Sequence, residues 1–179
     1  MNKAVFLDRD GTINIDEGYT YKTEDLEFYD DVFESLKKLS HFKLFIVTNQ
    51  SGIGRGYYSY EDFKRFNDKL VLALSENGIN IEKTYCCPHS PEENCDCRKP
   101  NIRYLKEAEK EFDIDLKRSW VIGDHPHDVT LGKNAGARSI YLLTGHGQKH
   151  REDLSAKPEL IANSLSEAAE FIIQNDNHN

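Results

Sequence analysis

The sequence predicts a single α/β domain: a three-layer, Rossmann-like parallel sheet with helices on both faces. Two observations carry the sheet. Four short, nearly all-apolar runs, Ala4 to Leu7, Leu44 to Val47, Trp120 to Ile122 and Ile140 to Leu143, have the character of strands buried on both faces. Between them lie segments of helical spacing, and strands alternating with helices mark βαβ units. Length agrees, because 179 residues fill one domain with a full core but not two domains and a linker.

After the first strand, Val32, Leu36 and Leu39 form a helical stripe. The second run leads into Gly52-Ile53-Gly54-Arg55-Gly56, which lacks the spacing of a dinucleotide fingerprint and is expected to be a mobile loop near the site. A longer helix begins at Ser59, where Ser59 and Asp62 have capping-box spacing; Phe63, Phe66, Leu70 and Leu74 share its apolar face, and Asn77-Gly78 stops it. Further helices are expected over Ile102 to Phe112, Asp128 to Asn134 and Ser164 to Gln174, the last with Ser164 and Glu167 again at capping-box spacing. Residues 144–158 are rich in breakers and charge and read as a surface loop. The domain is expected to span 1–174, with 175–179 as a frayed tail.

A net charge of −8 argues against nonspecific binding to nucleic acid or to anionic membranes, and an anionic substrate would need local cations. No stretch approaches the roughly 20 apolar residues of a membrane span, and the start MNKAVFLDRDG is no signal peptide. A cytoplasmic protein, more readily monomeric than oligomeric, is expected.

The polar residues that follow each apolar run are the main functional signal. Asp8 and Asp10 follow the first, Thr48-Asn49-Gln50-Ser51 the second and Gly123-Asp124 the third. In open α/β sheets ligands bind beyond the carboxyl ends of the strands, so these distant segments converge on one crevice. A single such aspartate is ordinarily a turn or cap residue. Separate turn preferences have no reason to bring a carboxylate pair, a hydroxyl and a lysine to one rim. Carboxylates with no His or Cys in their own segments form a hard-oxygen site suited to Mg²⁺.

All four cysteines fall in CCPHSPEENCDCRKP, residues 86 to 100. Cys87-x-His89 and Cys95-x-Cys97 supply three thiols and an imidazole, a set suited to a closed tetrahedral Zn²⁺ site. The spacings are tighter than those of common zinc fingers, so a redox pair or free thiols remain as alternatives on spacing alone. The loop is polar, a poor setting for thiols used only as small apolar side chains. Cys86 is left over and should face the other side of its strand.

Together, Asp8-Arg9-Asp10-Gly11-Thr12, Val47-Thr48-Asn49-Gln50, Arg98-Lys99-Pro100 and Gly123-Asp124 with Asp128 resemble the four ordered motifs of haloacid dehalogenase-type phosphohydrolases. DRDGTIN, Asp16-Glu17-Gly18-Tyr19, VTNQSGIGRGYY, the Cys/His loop and DLKRSWVIGD resemble the small histidinol-phosphatase-like group, in particular its branch acting on heptose 1,7-bisphosphates. The resemblance implies Asp8 as a nucleophile forming an aspartyl-phosphate, and Asp10 as general acid and base. It implies Mg²⁺ on Asp8, the Asp10 carbonyl and Asp124, phosphoryl contacts from Thr48 and Lys99, and structural zinc on Cys87, His89, Cys95 and Cys97. Asp128 would orient Lys99 or a metal-bound water. Substrate contacts carry over to Asp16, Glu17, Gly18, Tyr19, Asn49, Gln50, Ser51 and Arg98, whose planar fork suits a second phosphate.

Two departures stand out. His125 replaces a lysine usual in the heptose enzymes, which puts the sugar in question and would make binding more pH-dependent. Asn101-Ile102-Arg103 replaces a Lys-Pro-Gly and has no chemical reading from sequence. The resemblance thus implies a small phosphosugar substrate losing a 7-phosphate, and there is no room for a large cap domain between the motifs. Histidinol phosphate is the rival substrate, and a zinc-stabilised phosphosugar-binding protein the non-enzymatic rival. Trp120 is expected to pack; His41, His146, His150 and His178 are expected to be solvated, and His127 to line the site or begin a helix. The zinc loop, 86–98, should hold Arg98 and Lys99 in place.

Overall fold

The computed structural model describes residues 1–176; His178 and the end of the expected tail lie outside them. β1 (Ala4–Leu7) is buried along its whole length and lies between β2 (Lys43–Asn49) and β4 (Trp120–Gly123). The sheet has six strands in the order β3-β2-β1-β4-β5-β6, every neighbouring pair parallel, with β3 (Ile81–Cys87), β5 (Arg138–Leu142) and β6 (Leu160–Ala162) completing it.

Alternation along the strands explains why they read as unbroken apolar runs. Val5 and Leu7 of β1, with Leu44, Ile46, Trp120 and Ile122, face a core closed by α1 (Val32–Lys38), α3 (Tyr60–Glu76) and α6 (Leu165–Asp176). Ala4 and Phe6, with Phe45, Val47 and Val121, face the opposite core under α4 (Arg103–Phe112) and α5 (Pro126–Ala135). Trp120 is buried as expected, edge-on to Phe171 and beneath the Arg138 guanidinium.

The α3 capping box forms as read: Ser59 Oγ accepts from the Asp62 N–H at 3.1 Å, and Asp62 accepts from the Ser59 N–H at 2.8 Å. Other boundaries differ. Residues 51–54 form a single helical turn, α2 (Ser51–Gly54), where a mobile loop was expected. α5 starts at Pro126, two residues early, because His125 and Asp128 cap it. α6 continues through Asn175 and Asp176, which the sequence assigns to the tail; Asp176 pairs with Lys3 and His41. No described helix is long and apolar enough to cross a membrane.

Candidate active site

At the carboxyl end of β1 the chain turns sharply, and the Asp8 N–H donates to the Ile122 carbonyl of β4 at 2.9 Å, tying the first acidic residue to the switch point of the sheet. Lys99 comes in from the cysteine loop, 4 % exposed, and its ammonium group meets three acceptors: Asp8 Oδ1 at 3.0 Å, the Val47 carbonyl at 2.8 Å and Asp128 Oδ1 at 2.7 Å. An ammonium has three protons, so Lys99 is fully satisfied by the protein. Its adjoining peptide bond to Pro100 is cis. Asp128 divides its oxygens between Lys99 and the His125 N–H, so it both holds the lysine and caps α5.

Asp8, Asp124 and Asp128 bring carboxylate oxygens within 4.8 Å of one another, with Lys99 as their buried cation. Burial pushes Asp8 up to about 6 against the pull of Lys99, with Asp128 adding to the rise. Asp124 is raised to about 9, first by burial and then by the charges of Asp8 and Asp128. An oxygen-only donor set carrying excess negative charge fits a hard divalent cation such as Mg²⁺. Asp8 and Asp124 are the side chains able to hold it, because both Asp128 oxygens are already engaged.

Close backbone approach makes this packing possible. A Cβ on Gly11 would lie 2.1 Å from Asp124 Oδ2, and one on Gly145 would lie 2.3 Å from the same atom; both residues have positive φ, +81° and +51°.

Asp10 lines the cavity beside Asp8. Its carboxylate accepts from Arg9 Nε at 3.0 Å, Asn14 Nδ2 at 3.0 Å and Gln50 Nε2 at 2.9 Å. Arg9 was not singled out from sequence, yet it is wholly buried, its guanidinium stacked 4.6 Å from the Phe66 ring centre, and it also reaches the Thr20 carbonyl. A cation between the two aspartates was the available signal. Gln50 links Asp10 to the Thr48 hydroxyl at 2.8 Å and accepts from Tyr58, a second residue sequence reasoning missed.

A cavity of about 370 Å³ opens above these groups, lined by Asp8, Asp10, Thr48, Lys99, Asp124 and His125. Asp16, Gly18, Tyr19, Asn49, Gln50, Ser51 and Arg98 also border it, as does His127. Glu17 does not: it lies on a neighbouring surface depression, because Asp16 turns inward and the next residue outward. Among the described residues, Arg98 Nη1 is buried without a hydrogen-bond partner. His125 is held near 4 by burial and by His127 and His150, and its Nδ1 accepts from the His127 N–H at 3.2 Å. An imidazole held in this way is neutral near pH 7. His146 is exposed, as expected, and also borders the cavity, its backbone N–H on Asp124 and its ring on Asp16.

Beside Lys99 the cysteine loop closes on itself. Cys87, His89, Cys95 and Cys97 converge and Cys86 is excluded. Sulfur–sulfur separations are 3.0, 3.5 and 3.7 Å, and His89 Nδ1 lies 3.8 Å from Cys87 and 3.4 Å from Cys97. A tetrahedral ion about 2.3 Å from sulfur and about 2.0 Å from nitrogen sets its ligand atoms roughly 3.5–3.8 Å apart; all but the 3.0 Å Cys87–Cys97 separation lie within about 0.1 Å of that range, so the set fits zinc with those two sulfurs parting slightly. Burial opposes ionisation of Cys95, but the Cys97 and Arg98 backbone N–H groups bring its thiol down to about 7.

Comparison with known proteins agrees with this geometry. Residues 96–168 match the HAD-hydrolase-like family model. The chain is 49% identical over 146 residues to the D-glycero-beta-D-manno-heptose-1,7-bisphosphate 7-phosphatase of Helicobacter pylori strain J99, covering 80% of this chain and 84% of that one. The chain belongs to the heptose-bisphosphate phosphatase family of HAD-like hydrolases. Another relative is the D-glycero-alpha-D-manno-heptose-1,7-bisphosphate 7-phosphatase of Campylobacter jejuni, 47% identical over 79% of this chain and 82% of its own length. Among solved structures, the D,D-heptose 1,7-bisphosphate phosphatase of B. bronchiseptica, crystallised with magnesium and phosphate, superposes with a TM-score of 0.89 at 26% identity, covering 97% of this chain and 99% of that one. Heptose-bisphosphate phosphatases are thus similar to this chain in sequence and in fold, and both anomeric specificities occur among its relatives.

Proposed function

We propose that this chain is a Mg²⁺-dependent phosphomonoesterase that removes the 7-phosphate of a D-glycero-D-manno-heptose 1,7-bisphosphate, as a single cytoplasmic domain acting as a monomer in nucleotide-activated heptose biosynthesis. The observation that carries the reading is the junction of Asp8, Lys99, Asp128 and Asp124, buried together at the carboxyl ends of β1, β2 and β4.

Asp8 Oδ attacks phosphorus, the bond from phosphorus to the C7 oxygen breaks, and the departing oxygen takes a proton from Asp10. Asp10 then removes a proton from water, which attacks the aspartyl-phosphate and releases inorganic phosphate with Asp8 restored. For either transfer Asp10 must exchange one of its bonds to Gln50 or Asn14 for the reacting oxygen. The Thr48 hydroxyl binds a phosphoryl oxygen, and Lys99 binds another by exchanging its bond to Asp8 for it, where negative charge is spread in the transition state. Mg²⁺, held by Asp8, Asp124 and the Asp10 carbonyl, would neutralise the acidic cluster and the phosphoryl group. Arg98, which borders the cavity with its planar fork, takes the 1-phosphate beside His125. Asp16, Gly18, Tyr19, Asn49, Gln50 and Ser51 face the sugar. Zinc on Cys87, His89, Cys95 and Cys97 is structural and holds Arg98 and Lys99 in position.

The test is phosphate release with both anomers of the bisphosphate and with histidinol phosphate, using phosphorus NMR to identify which ester is lost. Loss of the 7-phosphate is expected, and Asp8→Asn should lower kcat by about 10⁴-fold or more, the scale seen when a nucleophile is removed. Turnover by Asp8→Asn at the parent rate, or a higher kcat/KM on histidinol phosphate, would overturn the reading.

A further inference from the structure

We infer that His146 is a positioning residue that latches the substrate-facing loop 16–20 to the acidic end of β4. This deepens the proposed function and rests on it for the identity of the substrate. The residue has two separate arms. Its backbone N–H donates to Asp124 Oδ2 at 2.8 Å, while its side chain places Nε2 3.1 Å from Asp16 Oδ2. Asp16 Oδ1 accepts from the Gly18 N–H and from the Thr20 hydroxyl, both at 2.9 Å. One carboxylate therefore organises the loop with one oxygen and is tied to His146 by the other.

The backbone at residue 146 is fixed by contacts that do not involve the imidazole. Thr144 Oγ1 donates to the Gly11 carbonyl at 2.7 Å, and the Gly145 N–H donates to the Tyr29 hydroxyl at 3.1 Å. Removing the His146 side chain should leave its N–H on Asp124 and free only the arm on Asp16.

At its far end the loop is tied by Arg9, whose guanidinium donates to the Thr20 carbonyl at 3.3 Å, and His146 supplies the tie at Asp16. Tyr19 has φ of +53° and Gly18 of +98°, so its shape is not one the backbone adopts by default. Tyr19 is 47 % exposed at the rim and touches only Tyr57 edge-on among the ring contacts of the described residues. Asp16 itself is 12 % exposed and borders the cavity, where its carboxylate can accept from the hydroxyls of a sugar chain. Holding that carboxylate in one orientation before substrate arrives lowers the cost of binding. The effect belongs to ground-state binding, because His146 does not touch Asp8, Asp10 or Lys99 through its side chain.

The experiment compares the full-length parent, His146→Ala and His146→Gln, all loaded with Mg²⁺ and zinc. With heptose bisphosphate, His146→Ala should raise KM by about tenfold, the order expected for one hydrogen bond to a charged group, with kcat within about twofold. The Mg²⁺ concentration for half-maximal rate should not move. His146→Gln, whose amide nitrogen can reach Asp16, should recover KM to within about threefold of the parent. On p-nitrophenyl phosphate, which has no hydroxyl chain, the three proteins should be alike. Independently of any substrate, amide exchange at Gly18 to Thr20 should quicken by about fivefold or more in His146→Ala. Unchanged exchange there, an unchanged KM, or equal losses on both substrates with an altered Mg²⁺ response would overturn the latch. A parent protein active on p-nitrophenyl phosphate but not on the bisphosphate would overturn the substrate reading, and the exchange result would still decide the latch.

Discussion

Replacing Asp124 by asparagine should stabilise the Mg²⁺-free protein while abolishing turnover. Asp124 is 2 % exposed, and burial together with Asp8 and Asp128 raises its carboxyl from the usual 3.8 to about 9. In the unfolded chain it ionises near 3.8; in the folded Mg²⁺-free state at pH 7 it must keep its proton. That mismatch is absent below pH 3.8 and grows with pH until the folded value is passed. Between 3.8 and 7, at about 1.36 kcal/mol per pH unit, it amounts to about 4 kcal/mol. Asparagine keeps an oxygen for the His146 N–H and turns an amide donor toward Asp8, so most of the mismatch should disappear. We expect a gain of about 2–4 kcal/mol at pH 7, or roughly 5–15 °C in Tm for a chain of this size. Urea unfolding followed by Trp120, the sole tryptophan and 1 % exposed, would measure it in Mg²⁺-free buffer without chelator, which leaves the zinc loop loaded. The gain should be smaller at pH 5 and larger at pH 8. Mg²⁺ at a hundredfold excess over Kd should add about 2.7 kcal/mol to the parent and little to the variant. A variant no more stable than the parent at pH 8, or a gap that ignores pH, would refute the electrostatic argument.

Two further outcomes follow from the support around the acids. Removing zinc, or making Cys95→Ser, should raise KM or lower kcat through Arg98 and Lys99; unaltered kinetics in verified zinc-free, folded protein would contradict the clamp. Arg9→Met should keep apolar contact with Phe63 and Phe66 but leave Asp10 without its forked partner, lowering kcat by about 10²-fold with Tm shifted by only a few degrees. Arg9→Lys should not restore it, because a point charge cannot make the two-pronged contact; steady-state kinetics beside thermal melts decide both.

The catalytic rim was legible because strands buried on both faces leave unmistakable apolar runs, and the residues after those runs must emerge together. Asp8, Thr48 and Asp124 were found that way, and the cysteine loop by its crowding. β3 was not a visible run: as an edge strand it reads Ile-Glu-Lys-Thr-Tyr-Cys-Cys, with its first four residues half-exposed. β6 is only three residues long, too short for any period to register. Arg9 and His146 were missed for a different reason. Their roles depend on contacts across the fold, Arg9 with α3 and Thr20, His146 with Asp16, and no local pattern encodes either. The substitution Asn101-Ile102-Arg103, opaque in sequence, has a structural reading: Arg103 bonds Asp96 at 2.8 Å and Asn101 bonds the Cys95 carbonyl at 3.2 Å, both tethering the cysteine loop to the start of α4.

β3 borders the sheet, so one side of its backbone has no neighbouring strand, an invitation to strand addition by another molecule. Its inner side is spent on β2, up to the Gln50 N–H on the Cys87 carbonyl at 2.8 Å. The next carbonyl back, that of Cys86, points outward and is taken by the Tyr104 hydroxyl at 2.7 Å, from the helix that the cysteine loop leads into. The loop that steadies a lysine on one side thus leads into a helix whose Tyr104 occupies an outward acceptor of that edge on the other. Metal loss would therefore expose a sticky border as well as loosen a pocket, and colloidal solubility should be an early casualty of zinc starvation.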